Sequence, residues 1–258
     1  MDAIDALLGG ADPEIARLRN YALERVLEVV RASQVDADTV ARLEWRLLPA
    51  LGFEARSPAL DRKLATDPAF FVEVITLFMR PRKARDEPSV SEATATNSYR
   101  LLNNWKIIPG TSEELGHVDQ AKLLSWVVEA RRRLVEADRL DVGDQYIGQI
   151  LARSAVDDDG AWPEKSVREV IESVASSHVE QGLYIGIVNK RGMTARGVMD
   201  GGEQERVLAE KYARWVKQVE LAWPRTAAVL RAVEQRYRDD AAREDEEVER
   251  IRRGLGDE

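Results

Sequence analysis

The residues best suited by type and spacing to do chemistry stand between positions 189 and 206. Gly192, Gly197, Gly201 and Gly202 surround Lys190, Arg191 and Arg196, and Gly201-Gly202-Glu203-Gln204-Glu205-Arg206 leads into a helix. Glycine-rich turns at a helix start can aim several backbone amides at one anion, with basic side chains adding charge. The two standard nucleotide-binding spacings, Gly-x-x-x-x-Gly-Lys-Ser/Thr and Gly-x-Gly-x-x-Gly, are absent, and no strand pattern precedes the loop. Asp200 and Glu203 place negative charge at the end a phosphate would occupy. The glycines are therefore first of all residues for positive φ angles and helix ends. Lys190, Arg191, Arg196, Gly201, Gly202, Gln204 and Arg206 form the candidate recognition surface. Replacing Arg191 and Arg196 by Ala is expected to weaken partner capture without lowering thermal stability.

Other chemistries find less support. The two histidines, His117 and His178, lack carboxylates at metal-helix spacing, and no Ser-His-Asp order or paired-carboxylate motif stands out. The absence of Cys excludes disulfides, thiolate zinc sites, Fe–S clusters and cysteine nucleophiles within this chain. Asp157-Asp158-Asp159-Gly160 offers clustered oxygens, yet the twelfth position of a calcium loop starting at Asp157 is Arg168 rather than Glu. It reads as a turn. No metal, no cofactor and no catalytic residue are expected. Basic clusters at 80–85 (Arg80, Arg82, Lys83, Arg85) and at Arg131-Arg132-Arg133 could touch nucleic acid, but the net charge of −8 supplies no general field for it. The six tryptophans fit helix packing, and a stacking platform would need them beside a basic groove.

The elements that must carry these residues read as helices. The 258-residue chain is 44% hydrophobic, 33% charged and only 6% aromatic, a balance suited to helices with broad solvated faces. Asp12-Pro13-Glu14, Ser57-Pro58 and Asp67-Pro68 place a capping side chain before a first-turn proline. Ile15, Leu18, Leu23, Val26, Leu27 and Val30 predict one buried stripe, and Phe70 to Met79 the most apolar helix. A further helix from about Asp119 carries Leu123, Leu124, Val127, Val128, Leu134 and Val135, and Ser89-Val90-Ser91-Glu92 forms a capping-box pattern for a helix ending near Trp105. Ala161-Trp162-Pro163 and Ala222-Trp223-Pro224 both mark helix starts. The expected fold is all-α, an irregular multi-helix array of about ten helices, either α-solenoid-like or an orthogonal bundle. The proline-broken stretch 80–90 suggests a division into 1–85 and 86–258, with one continuous domain as the alternative. No membrane span and no secretory leader are expected, and the expected location is the cytoplasm.

Several of these stretches also carry a likeness. Tyr99-Arg100-Leu101-Leu102-Asn103-Asn104-Trp105, Pro109-Gly110-Thr111, Glu129-Ala130-Arg131 and Gly143-Asp144-Gln145-Tyr146-Ile147-Gly148 come first. Gly160-Ala161-Trp162-Pro163, Asn189-Lys190-Arg191-Gly192, the Gly201 to Arg206 turn and Trp223-Pro224-Arg225-Thr226-Ala227 come after them. In order and spacing this set resembles an all-helical region of large bacterial proteins, over roughly residues 40–250. In those proteins the region is C-terminal to regulatory or defence-type modules. The likeness implies a bacterial protein within a larger assembly, with phage defence as one context, and transfers no catalytic residue. The expected function is protein interaction or scaffolding, helical hairpins leaving polar faces for a protein partner. The alternative is a nucleic-acid-linked regulator or defence subunit using the basic loops at 80–85 and 190–196. A third, an enzyme around the glycine segment, requires Lys190, Arg191 and Arg196 to meet at a concave pocket.

Overall fold

The structure, a computed structural model, describes residues 13–52, 55–79, 90–112, 114, 116–191, 197 and 200–254, with side chains from residue 20 onward. It is 74% helical. Eleven α-helices stand among the described residues: α1 (Pro13–Ala32), α2 (Ala37–Leu47), α3 (Pro58–Thr66), α4 (Pro68–Phe78), α5 (Glu92–Asn104), α6 (Gln120–Glu136), α7 (Leu140–Leu151), α8 (Lys165–Val174), α9 (Ser177–Lys190), α10 (Glu203–Val219) and α11 (Pro224–Arg252). No strand occurs among them, only an isolated bridge between Thr111 and Val118. No described helix is long and apolar enough to cross a membrane. The all-α expectation is therefore met. The chain forms two compact units, one of residues 1–107 with 132–139 and one of residues 108–131 with 140–258.

In the first unit, local signals start the helices and a few buried polar side chains join them. Asp36 accepts from the Thr39 amide, Asp67 from Ala69 and Phe70, and Ser91 from Thr94, each satisfying an amide without an intrahelical partner. Phe71, Val74 and Ile75 of α4 are fully buried, and Phe71 packs on Trp105 with ring centroids 5.6 Å apart. The buried Glu44 carboxylate accepts from Arg31 Nε at 2.7 Å and from the Leu60 amide at 3.0 Å, joining α1, α2 and α3. Arg100 of α5 donates to the carbonyls of Leu48, Leu51 and Gly52, where no helix continues to use them. Burial holds its guanidinium below the usual arginine value.

The predicted stripes are too broad in two places. On α1, Leu23 and Leu27 are buried, whereas Val26 is 52% exposed. At about 100° per residue, Val26 lies roughly 60° from Leu23 and 100° from Leu27, at the margin of the contact face. On α6, Leu123, Val127, Ala130 and Leu134 are buried, while Val128 and Val135, one step round the helix, are exposed. Ile15 and Leu18 lie outside the described side chains.

The second unit rests on the pairing of α7 with α9. Gly148 of α7 and Gly182 and Gly186 of α9 let the two backbones touch. A Cβ on Gly148 would lie 2.1 Å from the Val179 carbonyl oxygen, and one on Gly182 would lie 2.0 Å from that of Gln145. The buried Asp144 carboxylate locks the start of this pair, taking two bonds from the Arg131 guanidinium and one from Ser176 Oγ at 2.6 Å. A second buried charge, Arg168 of α8, reaches Asp157 and Asp159 and lies 4.2 Å from the Trp223 ring centre. The aspartate turn thus faces a guanidinium, and no group of side chains suited to a metal occurs among the described residues. Gly182→Ala is expected to lower stability by about 1–3 kcal/mol, since only backbone is available to move. Gly52→Ala, where the added atom meets nothing within 4 Å, should be near neutral. Chemical denaturation of both variants tests the contrast, and equal losses would refute the backbone-contact account.

Candidate functional site

The last turns of α7 and α9 deliver one cluster of charge. Lys190 ends α9, Arg153 comes just after α7, and Lys211 comes from α10. Partial burial, then the like charges of Arg153 and Lys211, holds the Lys190 ammonium below the usual lysine value. Among the described residues, no carboxylate is paired with Lys190, Lys211 or Arg153.

Lys190 and Lys211 border a cavity of about 370 Å³ lined by Ala152, Ser154, Ala155, Val156, Trp162, Ile187, Lys190, Arg191, Leu208, Lys211, Tyr212, Trp215 and Tyr237. Its aromatic wall is mutually braced. Trp162 and Trp215 stand 5.6 Å apart, Tyr212 meets Trp215 edge-on at 5.2 Å, and Tyr212 stacks on Tyr237 at 5.6 Å. Each indole N–H is fixed by a carbonyl of the 154–160 turn, Trp162 to Ser154 at 2.8 Å and Trp215 to Gly160 at 3.1 Å. Lys211 lies 4.7 Å from the Trp215 ring centre and Arg191 5.2 Å from that of Tyr237. Burial pushes both the Tyr212 and Tyr237 phenols upward, so neither offsets the cations near neutral pH. Ser154 Oγ is already engaged with Glu164, whose carboxylate also accepts from the Val118 amide.

A second cavity, of about 400 Å³ in the first unit, has a different character. It is lined by Trp45, Phe70 and Leu77, and its charges come in both signs. Lys63 there is bound to Asp38 at 2.6 Å. Of these two cavities, that of the second unit joins apolar walls to cations of one sign.

The structure divides the sequence-predicted residues by task. Lys190 and Arg191 line the cavity. Arg191 is paired with the buried Glu205. It therefore carries stability, and the expectation that its removal spares thermal stability is revised. Gly201, Gly202 and Arg206 lie at the junction of α10 with α11. Gly201 adopts φ +58°, and a Cβ on Gly202 would stand 2.3 Å from the Ala241 carbonyl oxygen. Asp245 accepts from the Gly202 amide at 2.9 Å and pairs with Arg206 at 2.5 Å, while Glu203 takes the other edge of the Arg206 guanidinium. Asp245 is thus the side-chain acceptor at the start of α10. Gln204 is exposed on the first turn of that helix. Arg196 and the basic loop at 80–85 lie outside the described residues, as does Gly192. Arg131 is spent on Asp144, and Arg132 on Glu136. His117 and His178 stand near Glu164 and Asp141, at 3.8 and 3.6 Å.

Sequence reasoning missed Lys211, Tyr212, Trp215 and Tyr237 as members of the site. The signal was local: Lys211, Tyr212 and Trp215 fall on one face of α10 at i, i+1 and i+4.

Arg191→Ala is expected to cost about 3 kcal/mol, because it removes the cation facing a buried carboxylate. Arg191→Lys should recover part of that, and an unchanged denaturation midpoint for the alanine variant would refute the pairing. The hydrogen bond donated by the Gly202 amide, with Arg206 adding to it, holds the Asp245 carboxyl below the usual aspartate range. A depressed folded-state value means stability present above about pH 3.9 and lost as pH falls through the lowered value. The stability gap between the native protein and Asp245→Asn should therefore close on acidification below that range, whereas a gap constant with pH would exclude this linkage. No protein-family model, curated protein or solved structure matches the chain.

Proposed function

We propose that the chain is a protein-interaction module of a larger bacterial assembly, and that the cavity of its second unit is where it holds a partner. The setting is proposed from the order and spacing of the sequence stretches that suggested the likeness. The single observation that carries the site is the juxtaposition of Lys190 and Lys211, without a paired carboxylate among the described residues, with an apolar and aromatic wall. Bringing like charges together against apolar surface is unfavourable in the free protein, so an anion that also covers that surface gains from both features. The described lining contains neither carboxylate nor histidine, and Arg191 is committed to Glu205. We read this set of groups as a binding site.

The charge reversal Lys190→Glu with Lys211→Glu tests the proposal, against Arg214→Glu with Lys217→Glu, an equal change at exposed positions of α10. Quantitative affinity capture from the cells of origin should show proteins retained by the native chain and the control pair but lost on reversal at the cavity. Equal retention by all three would overturn the proposal. Retention that disappears after nuclease treatment and falls steeply with salt would replace it with nucleic-acid binding.

A further inference from the structure

We infer that the cavity receives the C-terminal residue of a partner polypeptide, its terminal carboxylate against Lys190 and Lys211 and its apolar side chain against Val156, Ile187 and Leu208. This rests on the interaction reading above and names its ligand. The volume of about 370 Å³ lies at the small end of ligand sites, which span roughly 300–1,000 Å³, so the cavity suits about one or two residues rather than a strand or helix. Charge sets the second constraint. Among the described residues, the lining holds two lysines without a paired carboxylate, and the third cation there, Arg191, is already neutralised by the buried Glu205. Two ammonium groups match one carboxylate, whereas a polyanion calls for a longer run of cations.

The adjacency of cations and aliphatic side chains decides between carboxylates. An internal Asp or Glu carries its charge on a stem with no apolar group attached, and chain leaves it in two directions. A C-terminal Leu, Ile, Val or Phe carries carboxylate and apolar side chain on one Cα, matching lysines that border an aliphatic wall. Lys190 enters from α9 and Lys211 from α10, so the two ammonium groups approach one anion from different elements. A carboxylate adds a full opposite charge to the bonds it accepts from the two ammonium groups, which the neutral carbonyl of a terminal amide would not.

The test is an array of N-acetylated hexapeptides varied at the last residue, each made as free acid and as amide, with binding read by fluorescence anisotropy. Free acids ending in Leu, Ile, Val or Phe should bind, and amidation should weaken them at least about tenfold. Lys190→Ala with Lys211→Ala should cause a similar loss while leaving the protein folded with a cooperative melting transition, since both lysines are exposed. Acids and amides binding alike, or no free acid binding at all, would overturn the inference. So would lysine-dependent binding of dodecanoate or adenosine monophosphate with none of the peptides. Partner retention lost on charge reversal, together with indifference to amidation, would remove the terminal-carboxylate assignment and leave the interaction reading standing. Retention that survives the reversal would remove both.

Discussion

The second unit depends on one close approach, backbone against backbone between α7 and α9. Helices usually keep 8–10 Å between axes because side chains fill the space between them. Gly148, Gly182 and Gly186 remove those side chains, so carbonyls and amides of one helix face the backbone of the other. The consequence is geometric. The ends of the two helices must converge, and with them Arg153 and Lys190. The Asp144 lock with Arg131 and Ser176 fixes the opposite end of the pair, so the convergence is set from both directions.

Buried guanidinium groups do much of the remaining joining, each by a different chemistry. Arg100 gathers carbonyls of the turn after α2, Arg168 two aspartates and an indole face, and Arg191 a carboxylate and a phenol ring. The planar fork suits this role because its donors are fixed in direction and its flat face tolerates aromatic contact. Two features that look functional in the bare sequence are also consumed by packing. The aspartate turn resembles a cation site until Arg168 is seen facing it. The Gly201 to Arg206 turn resembles an anion site until Asp245 and Ala241 are seen occupying the same space.

Much of the fold was legible because helix starts are local events. Asp67 caps where its side chain and the proline after it say it should, whereas Ser57 before its own proline makes no capping bond. The cap of the helix ending at Asn104 is Ser91, the third residue of the capping-box pattern rather than its first. The stripes were less legible at their edges, as Val26, Val128 and Val135 show, because contact width depends on what packs opposite. The in-helix glycines gave a weak signal, since a glycine four residues from another can equally be a tolerated loss of helix propensity. For the site, Lys190 and Arg191 stood out by composition. Lys211, Tyr212 and Trp215 did not, because only tertiary packing turns an ordinary helix face into the wall of a cavity with cations from another helix.

The glycine seam also has a mechanical side. Helices separated by side chains can shift by exchanging rotamers, but helices in direct backbone contact have no rotamers to exchange. α7 and α9 therefore behave as a single stiff lever, and the repulsion between Arg153 and Lys190 cannot relax by spreading them. The work of assembling that charge is done once, during folding. On the proposed reading, an arriving anion meets a field already in place and has little left to organise.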